Sequence, residues 1–276
     1  MELTDLFLAG GRAVQLAGLG VLIGAATSTW LAPARAVARP ARLAAALLLL
    51  GLAIQLVGQL RAFDAFGPEA DPLTTTLGII ASISWGRNRL ALAAVAMVVA
   101  VVAGVARPWG DRGLRAAAVA AVLLLPALGH AAAVEDGALR AWVQASIHAA
   151  SAGLWLGTLA LLAPAWWHDV QEIRPAVARY GRLALVAAPL TVLSGVVTAW
   201  PRVGGFAGLL HPGYGQLVAA KLALAVVLLG LGALHHRRLV RAQQTPTKAT
   251  LLLELIVAGA VLAVTGVLAE SAPVVA

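Results

Sequence analysis

Eight apolar segments, each about 20 residues long, are separated in this chain by charged stretches, and arginines collect in alternate gaps. The hydrocarbon core of a bilayer is about 30 Å thick, so a helix needs about 20 residues to cross it. With 61% of its residues hydrophobic and 12% charged, the chain has the composition of a polytopic membrane protein. The segments are 6–31, 41–62, 90–106, 114–134, 141–163, 180–200, 214–236 and 249–269.

The expected fold class is all-α, a polytopic membrane bundle of about eight transmembrane helices, because an open strand in lipid leaves backbone groups unpaired. No linker rich in Gly and Ser divides the chain, so residues 1–276 are predicted to form a single transmembrane domain. The stretch 73–85 is apolar but short, and it is rich in Thr and Ser. It predicts a short interfacial or re-entrant helix before the third span.

The loop charges predict the orientation. Short loops rich in Lys and Arg stay in the cytoplasm, whereas the other gaps and both ends of this chain carry mainly acids. We therefore expect both termini to face outward. Topology also accounts for the net charge of +8, so nucleic-acid binding is not expected. The bases in the four alternate gaps are Arg35, Arg39, Arg42, Arg107, Arg112, Arg115, Arg174, Arg179, Arg182, Arg237, Arg238, Arg241 and Lys248.

Two histidines lie inside the outer half of the bilayer on adjacent antiparallel spans. His130 and His148 flank the acidic turn at 135–136. At a rise of 1.5 Å per residue they lie roughly 7 and 13 Å below the outer surface. Neighbouring helix axes run about 8–10 Å apart, so two imidazoles can meet at one ion. Nitrogen ligands suit copper, zinc, nickel and iron. The alternative is a histidine pair that hydrogen-bonds across the bundle without a metal.

Three further residues are candidates for the surroundings of such a site. Trp155 follows His148 by two helical turns and shares its face, so it either closes the site from below or fills the bundle. Lys221 lies near the outer level, where it either snorkels to the interface or holds a carboxylate such as Asp64 or Asp5. Glu254 lies near the cytoplasmic end of the last span, where it either pairs with an arginine or belongs to an exit path.

Other features favour plainer interpretations. On the fifth span a small residue recurs every four positions, which allows another helix to approach closely. Arg87 and Arg89 flank the start of a span and are expected to snorkel. His235 and His236 are expected to join a basic cluster that anchors the seventh span to anionic head groups. The small residues are Ala145, Ala149, Gly153 and Gly157.

Several short motifs of the second half, taken in order, resemble a known family. They are GHA at 129–131, HAASAGLWLG at 148–157, SGVVTAW at 194–200 and YGQLVAAKL at 214–222, and the last span fits with Glu254 near its start. Together they resemble the CopD (copper resistance D) family of bacterial membrane proteins. The resemblance is strongest over residues 129–276, and the layout of eight spans extends it to the remainder.

This resemblance implies copper transport across the bacterial inner membrane, with copper often delivered by a periplasmic CopC-type partner. In some relatives that partner domain is fused at the N-terminus, which requires the outward N-terminus that the loop charges also predict. Copper would be the cargo, and the family pattern carries over most directly onto His130, His148 and Trp155, with Lys221 as a lesser candidate. Copper(I) conduits usually draw on Met or Cys, soft ligands for a soft ion. This chain has no Cys and two Met, so a string of thioether sites is excluded. Either the ion binds as copper(II) through nitrogen and oxygen, or the path uses few fixed ligands.

Two other function classes stay open at this point. One is a haem-binding redox protein, because membrane cytochromes use histidine pairs on bundle helices. The other is a non-transporting membrane adaptor for a periplasmic copper-binding protein. An enzyme is not expected, because the chain lacks a nucleophile–base–acid arrangement and a phosphate-binding Gly-Lys-Ser/Thr loop.

Overall fold

The computed structural model describes residues 3–31, 37–64, 73–106, 108–124, 138–168, 170–240 and 248–274. Within these ranges every long regular element is an α-helix. The helices are α1 (Leu3–Leu31), α2 (Ala38–Asp64), α3 (Leu73–Ser82), α4 (Ser84–Val102), α5 (Trp109–Leu124), α6 (Ala138–Ala152), α7 (Thr158–His168), α8 (Val170–Val203), α9 (Tyr214–Val240) and α10 (Lys248–Glu270). A π-helical segment, Gly153–Gly157, joins α6 to α7 without a break.

Six helices in the described part of the chain are long and apolar enough to cross a bilayer, which confirms a polytopic helical membrane protein. The predicted third and fourth spans correspond to the shorter helices α4 and α5, of 19 and 16 residues. The fourth segment continues into residues 125–134, outside the described ranges, so the count of eight stays a prediction. The six spans are Leu3–Leu31, Ala38–Ala62, Ala138–Trp166, Arg174–Val203, Tyr214–Arg238 and Lys248–Glu270.

The short helix expected near 73–85 is present as α3, which has 10 residues and is too short to cross the bilayer. It ends where Ile83 adopts an extended conformation, with φ −80° and ψ 156°, and α4 begins at the next residue. The guanidinium of Arg87 donates to the carbonyl of Ser82 and so satisfies one of the free carbonyls at the end of α3. The depth of α3 in the membrane stays a prediction.

Helix α1 lies between two apolar cores. The first is formed by α1, α2, α4 and α5 around Leu22, Leu48 and Leu92. The second is formed by the π-helical segment, α7, α8, α9 and α10, and its buried side chains include Leu228 and Leu251. Because α1 packs against both groups, it holds the halves of the bundle together.

The predicted small-residue face does allow close helix packing, and its partner is α1. A Cβ atom added to Gly153 would clash with the side chain of Ile23. One added to Gly157 would clash with the carbonyl of Gly20, and one added to Gly24 with the carbonyl of Gly157. The two backbones therefore touch along the π-helical segment, as small residues at a helix interface permit. This contact fixes the neighbouring face of the span, which carries His148 and Trp155.

Candidate functional site

A cavity of about 500 Å³ lies among α1, α6, the π-helical segment, α8, α9 and α10. Most of its wall is aliphatic, which is typical of a pocket with a few polar groups that orient a ligand. The described lining contains basic residues but no Asp or Glu. The polar and aromatic side chains on the wall include Arg12, His148, Trp155, Thr191, Arg202, Tyr214 and Lys221.

His148 is fixed by α8 through one ring nitrogen. Its Nδ1 lies 2.9 Å from the carbonyl oxygen of Thr191 and 3.2 Å from Oγ of Ser194. A carbonyl only accepts, and the Ser194 hydroxyl donates to the Leu190 carbonyl at 2.6 Å. We therefore assign the proton to Nδ1, which leaves the lone pair on Nε2. The described residues give Nε2 no hydrogen-bond partner, so this nitrogen is available to a ligand.

The position of the imidazole depends on a small residue on the facing helix. A Cβ atom on Gly195 would lie 3.0 Å from Cε1 of His148, a contact that forces the ring to move. Gly195 thus makes room for the imidazole beside α8. This arrangement resembles metal-ligating histidines in general, whose second nitrogen donates to a backbone carbonyl or carboxylate that sets the orientation of the ring.

Trp155 lies in the π-helical segment, is buried, and lines the same cavity as His148. The structure therefore brings together three of the residues selected from the sequence, His148, Trp155 and Lys221, on one cavity. The carbonyl of Trp155 accepts a hydrogen bond of 3.1 Å from the hydroxyl of Tyr180. A π-helical turn shifts the backbone register, and such turns are frequent at functional sites.

The other selected residues have different outcomes. His130 lies outside the described residues, as does the acidic turn at 135–136, so the pairing of the two histidines stays a prediction. Asp64 is the last residue of α2, and its side chain is also outside the described part. Lys221 lines the cavity and makes no ion pair or hydrogen bond with a described residue. Its pairing with Asp64 stays a prediction.

Glu254 is almost fully buried, and its partner is a histidine rather than an arginine. Nδ1 of His235 lies 2.8 Å from Oε2 of Glu254. The interpretation of His235 as a head-group anchor was therefore wrong, because only 5% of its surface is exposed. A signal for this pair existed in the sequence: Glu254 is the one carboxylate inside the eighth predicted segment. A charge there calls for a partner on a neighbouring helix.

A buried polar chain links α1, α2 and α4, and sequence reasoning missed it. Arg12 donates to Oε1 of Gln15 at 3.0 Å, Gln55 donates to the same oxygen at 3.3 Å, and Arg89 donates to Oε1 of Gln55 at 3.0 Å. The prediction that Arg89 snorkels to the interface was therefore wrong, because its side chain is buried within this chain of hydrogen bonds. The side chain of Arg87 is exposed. Gln15 and Gln55, both within spans, were the missed signal.

The described residues contain no group of three or more His, Asp and Glu side chains that could hold a metal ion. A metal ion bound to this protein must therefore use at most two such side chains of the described residues, or ligands from outside the described ranges. A small number of ligands suits an ion that binds transiently during transport.

The fold and the cavity define a polytopic helical membrane protein with an internal, partly polar pocket. Residues 174–268 match the family model described as CopD, Copper resistance protein D, and the resemblance to the CopD family is thereby confirmed. The chain is also similar to the copper transport protein CutJ of Bacillus subtilis (strain 168), with 30% identity over 139 residues. That match covers 49% of this chain and 26% of the relative. No solved structure matches the chain.

Proposed function

We propose that this protein transports copper ions across the bacterial inner membrane and that His148, with His130, forms a copper site in the periplasmic half. The observation that carries the proposal is His148 itself, whose Nδ1 is held by α8 while Nε2 is free beside a cavity within the bundle. The description of the matching family and the name of the Bacillus relative support copper as the cargo. They also favour a transporter over an enzyme.

The ligand chemistry fits an ion that binds through nitrogen. A neutral imidazole with its proton on Nδ1 presents the Nε2 lone pair that copper requires. Two imidazoles leave coordination positions open, so the ion can be passed on. Trp155 then closes the cavity wall beneath His148 and limits water. In this proposal residues 1–276 act as one transmembrane domain.

Lys221 tunes the copper site by repulsion. Its ammonium and the imidazole of His148 line one cavity whose described wall carries no acid to offset the charge. Two unit charges about 8 Å apart interact by about 2 kcal/mol at an effective dielectric constant near 20. A nearby ammonium therefore weakens copper binding and speeds release.

Replacing Lys221 with Met should raise the copper affinity of the purified protein by about 30-fold, because one positive charge is removed with little change in side-chain length. Competition with a chelator in detergent measures this affinity. Lys248→Met is the matched control, because Lys248 lies exposed at the start of α10 and should leave the affinity unchanged. An unchanged or weaker affinity in a folded Lys221→Met protein would contradict the repulsion.

The proposed orientation places both termini in the periplasm, where a CopC-like copper-binding protein can deliver the ion. Reporter fusions at Ala276 and Thr245 should give periplasmic and cytoplasmic signals, respectively, because the bases follow alternate spans. A reporter fused at Pro40, between the first and second predicted spans, should also give a cytoplasmic signal. Reversed signals, or the same signal at Ala276 and Thr245, would contradict the orientation.

Metal analysis of the purified protein tests the cargo. After exposure to copper we expect bound copper and an optical spectrum without a Soret band. A Soret band with two histidine ligands would favour the haem-binding alternative. Copper binding without any flux across a membrane would favour the adaptor.

A further inference from the structure

A second polar cluster lies at the other end of the bundle from His148. It consists of His235 on α9, Glu254 on α10 and Trp166 on α7, whose exposed fractions are 5%, 2% and 7%. The three residues come from three helices of one apolar core. The rings of Trp166 and His235 lie with their centroids 6.4 Å apart. An ionisable pair this deep in an apolar bundle marks a functional site by default.

The cluster leaves several polar atoms without hydrogen bonds. Nδ1 of His235 and Oε2 of Glu254 are 2.8 Å apart, yet Oε2 has no well-aligned donor among the described residues. Nε2 of His235 and Nε1 of Trp166 are buried without partners there as well. Buried polar atoms almost always have partners, so the unpaired carboxylate oxygen Oε2 indicates a ligand such as a cation.

The N···O distance of 2.8 Å fits an ion pair and equally fits two donor atoms on one metal ion. Metal–nitrogen and metal–oxygen bonds of about 2.0–2.2 Å place neighbouring ligand atoms roughly 3 Å apart. An ordinary ion pair would align the N–H bond with the carboxylate, whereas Oε2 has no such aligned donor among the described residues. Imidazole and carboxylate together suit a transition-metal cation of intermediate softness.

The cavity wall includes neighbours of the cluster. Leu255, next to Glu254 in the chain, and Leu228 on α9 both line the cavity. Along α9, Lys221 and His235 are about 21 Å apart at a rise of 1.5 Å per residue. Trp155 and Tyr180, joined by their hydrogen bond, belong to the same apolar core as Leu228. An ion that leaves His148 toward the cytoplasmic side would therefore reach this cluster after an apolar barrier.

We propose that His235 and Glu254 bind a transition-metal cation and form a second, inner station for the transported ion. This inference rests on the proposed function, because it takes copper as the cargo. The carboxylate neutralises part of the ionic charge in the apolar core, where an unpaired cation is costly. The outer site lacks such a carboxylate among the described residues, so the inner station should hold the ion more tightly.

The test is a titration of the full chain in detergent with copper(II), with glycine present as a competing chelator to mask weak surface sites. We expect two tight equivalents for the wild type and one for either His235→Asn or Glu254→Gln. His236→Asn is the matched control, because it changes the adjacent histidine and should retain both equivalents. Circular dichroism and thermal unfolding check that every variant is folded, and a folded conservative variant Glu254→Asp should retain some binding.

The possible outcomes distinguish failure of the inner station from failure of the proposed copper site at His148. Loss of one equivalent in His235→Asn, with no change in His148→Ala, would support the inner station and contradict the outer site. Loss in His148→Ala, with both equivalents retained in folded His235→Asn and Glu254→Gln, would overturn the inner station and leave the outer site standing. Equal losses in His235→Asn and His236→Asn would also overturn it, because they would indicate non-specific binding to histidine.

Discussion

Gly157→Val should remove most of the folded protein, whereas Gly10→Val should have little effect. A Cβ atom on Gly157 meets the carbonyl of Gly20, and that backbone cannot rotate away as a side chain can. A Cβ atom on Gly10 meets nothing within 4 Å, so the two substitutions differ only in their surroundings. Overpacking a core commonly costs 1–3 kcal/mol, and we expect a cost of about 3 kcal/mol or more where backbone meets backbone.

The measurement is the yield of monodisperse protein in detergent together with its thermal unfolding midpoint. Gly157→Val should lower both strongly relative to Gly10→Val. Equal yields and midpoints for the two variants would mean that α1 and the π-helical segment do not touch. The positions of His148 and Trp155 relative to α1 would then need revision.

His148→Ala should lower the copper affinity by at least about 100-fold and abolish copper flux. Loss of an outer-shell partner of a metal ligand already costs about 10–100-fold, and loss of the ligand itself removes the metal–nitrogen bond. The bundle should stay folded, because many apolar contacts hold it and His148 contributes two interactions through Nδ1. Isothermal titration with copper in detergent measures the affinity.

Two companion variants sharpen this prediction. Ser194→Ala removes one of the two groups near Nδ1, so it should weaken copper binding by about tenfold or less. Ser146→Ala is the matched control, because Ser146 lies on α6 two residues from His148 and does not line the cavity. If Ser146→Ala weakened binding as much as His148→Ala, the effect would reflect helix packing rather than coordination.

Much of the fold follows from the sequence, because hydrophobic segments of spanning length and small-residue spacing are local signals. The short helix α3 and the close contact of Gly153 and Gly157 were both foreseen on this basis. The partner of the small-residue face, α1, was not foreseen, because spacing within one helix does not identify its neighbour. The π-helical turn has no comparable sequence signal.

The sequence predicted part of the site: Lys221 on α9 lines the cavity, as do two residues of one span. His148 and Trp155 share a face, and the structure places both on one cavity wall. The contacts that orient His148 were missed, because Thr191 and Ser194 lie on α8, more than 40 residues later in the chain. His235 and Glu254 were missed as a pair for the same reason: their contact depends on how α9 packs against α10. Helix packing, which single-sequence patterns do not encode, decides these pairs.

The central claim is that copper crosses the membrane through this protein by way of His148. The most direct measurement is the rate of copper entry into proteoliposomes that contain a trapped fluorescent copper indicator, compared with protein-free liposomes. We predict entry well above the protein-free rate for the wild type and for Ser146→Ala, and entry at the protein-free rate for folded His148→Ala. A wild-type rate equal to that of protein-free liposomes, or equal rates for the wild type and folded His148→Ala, would contradict the account.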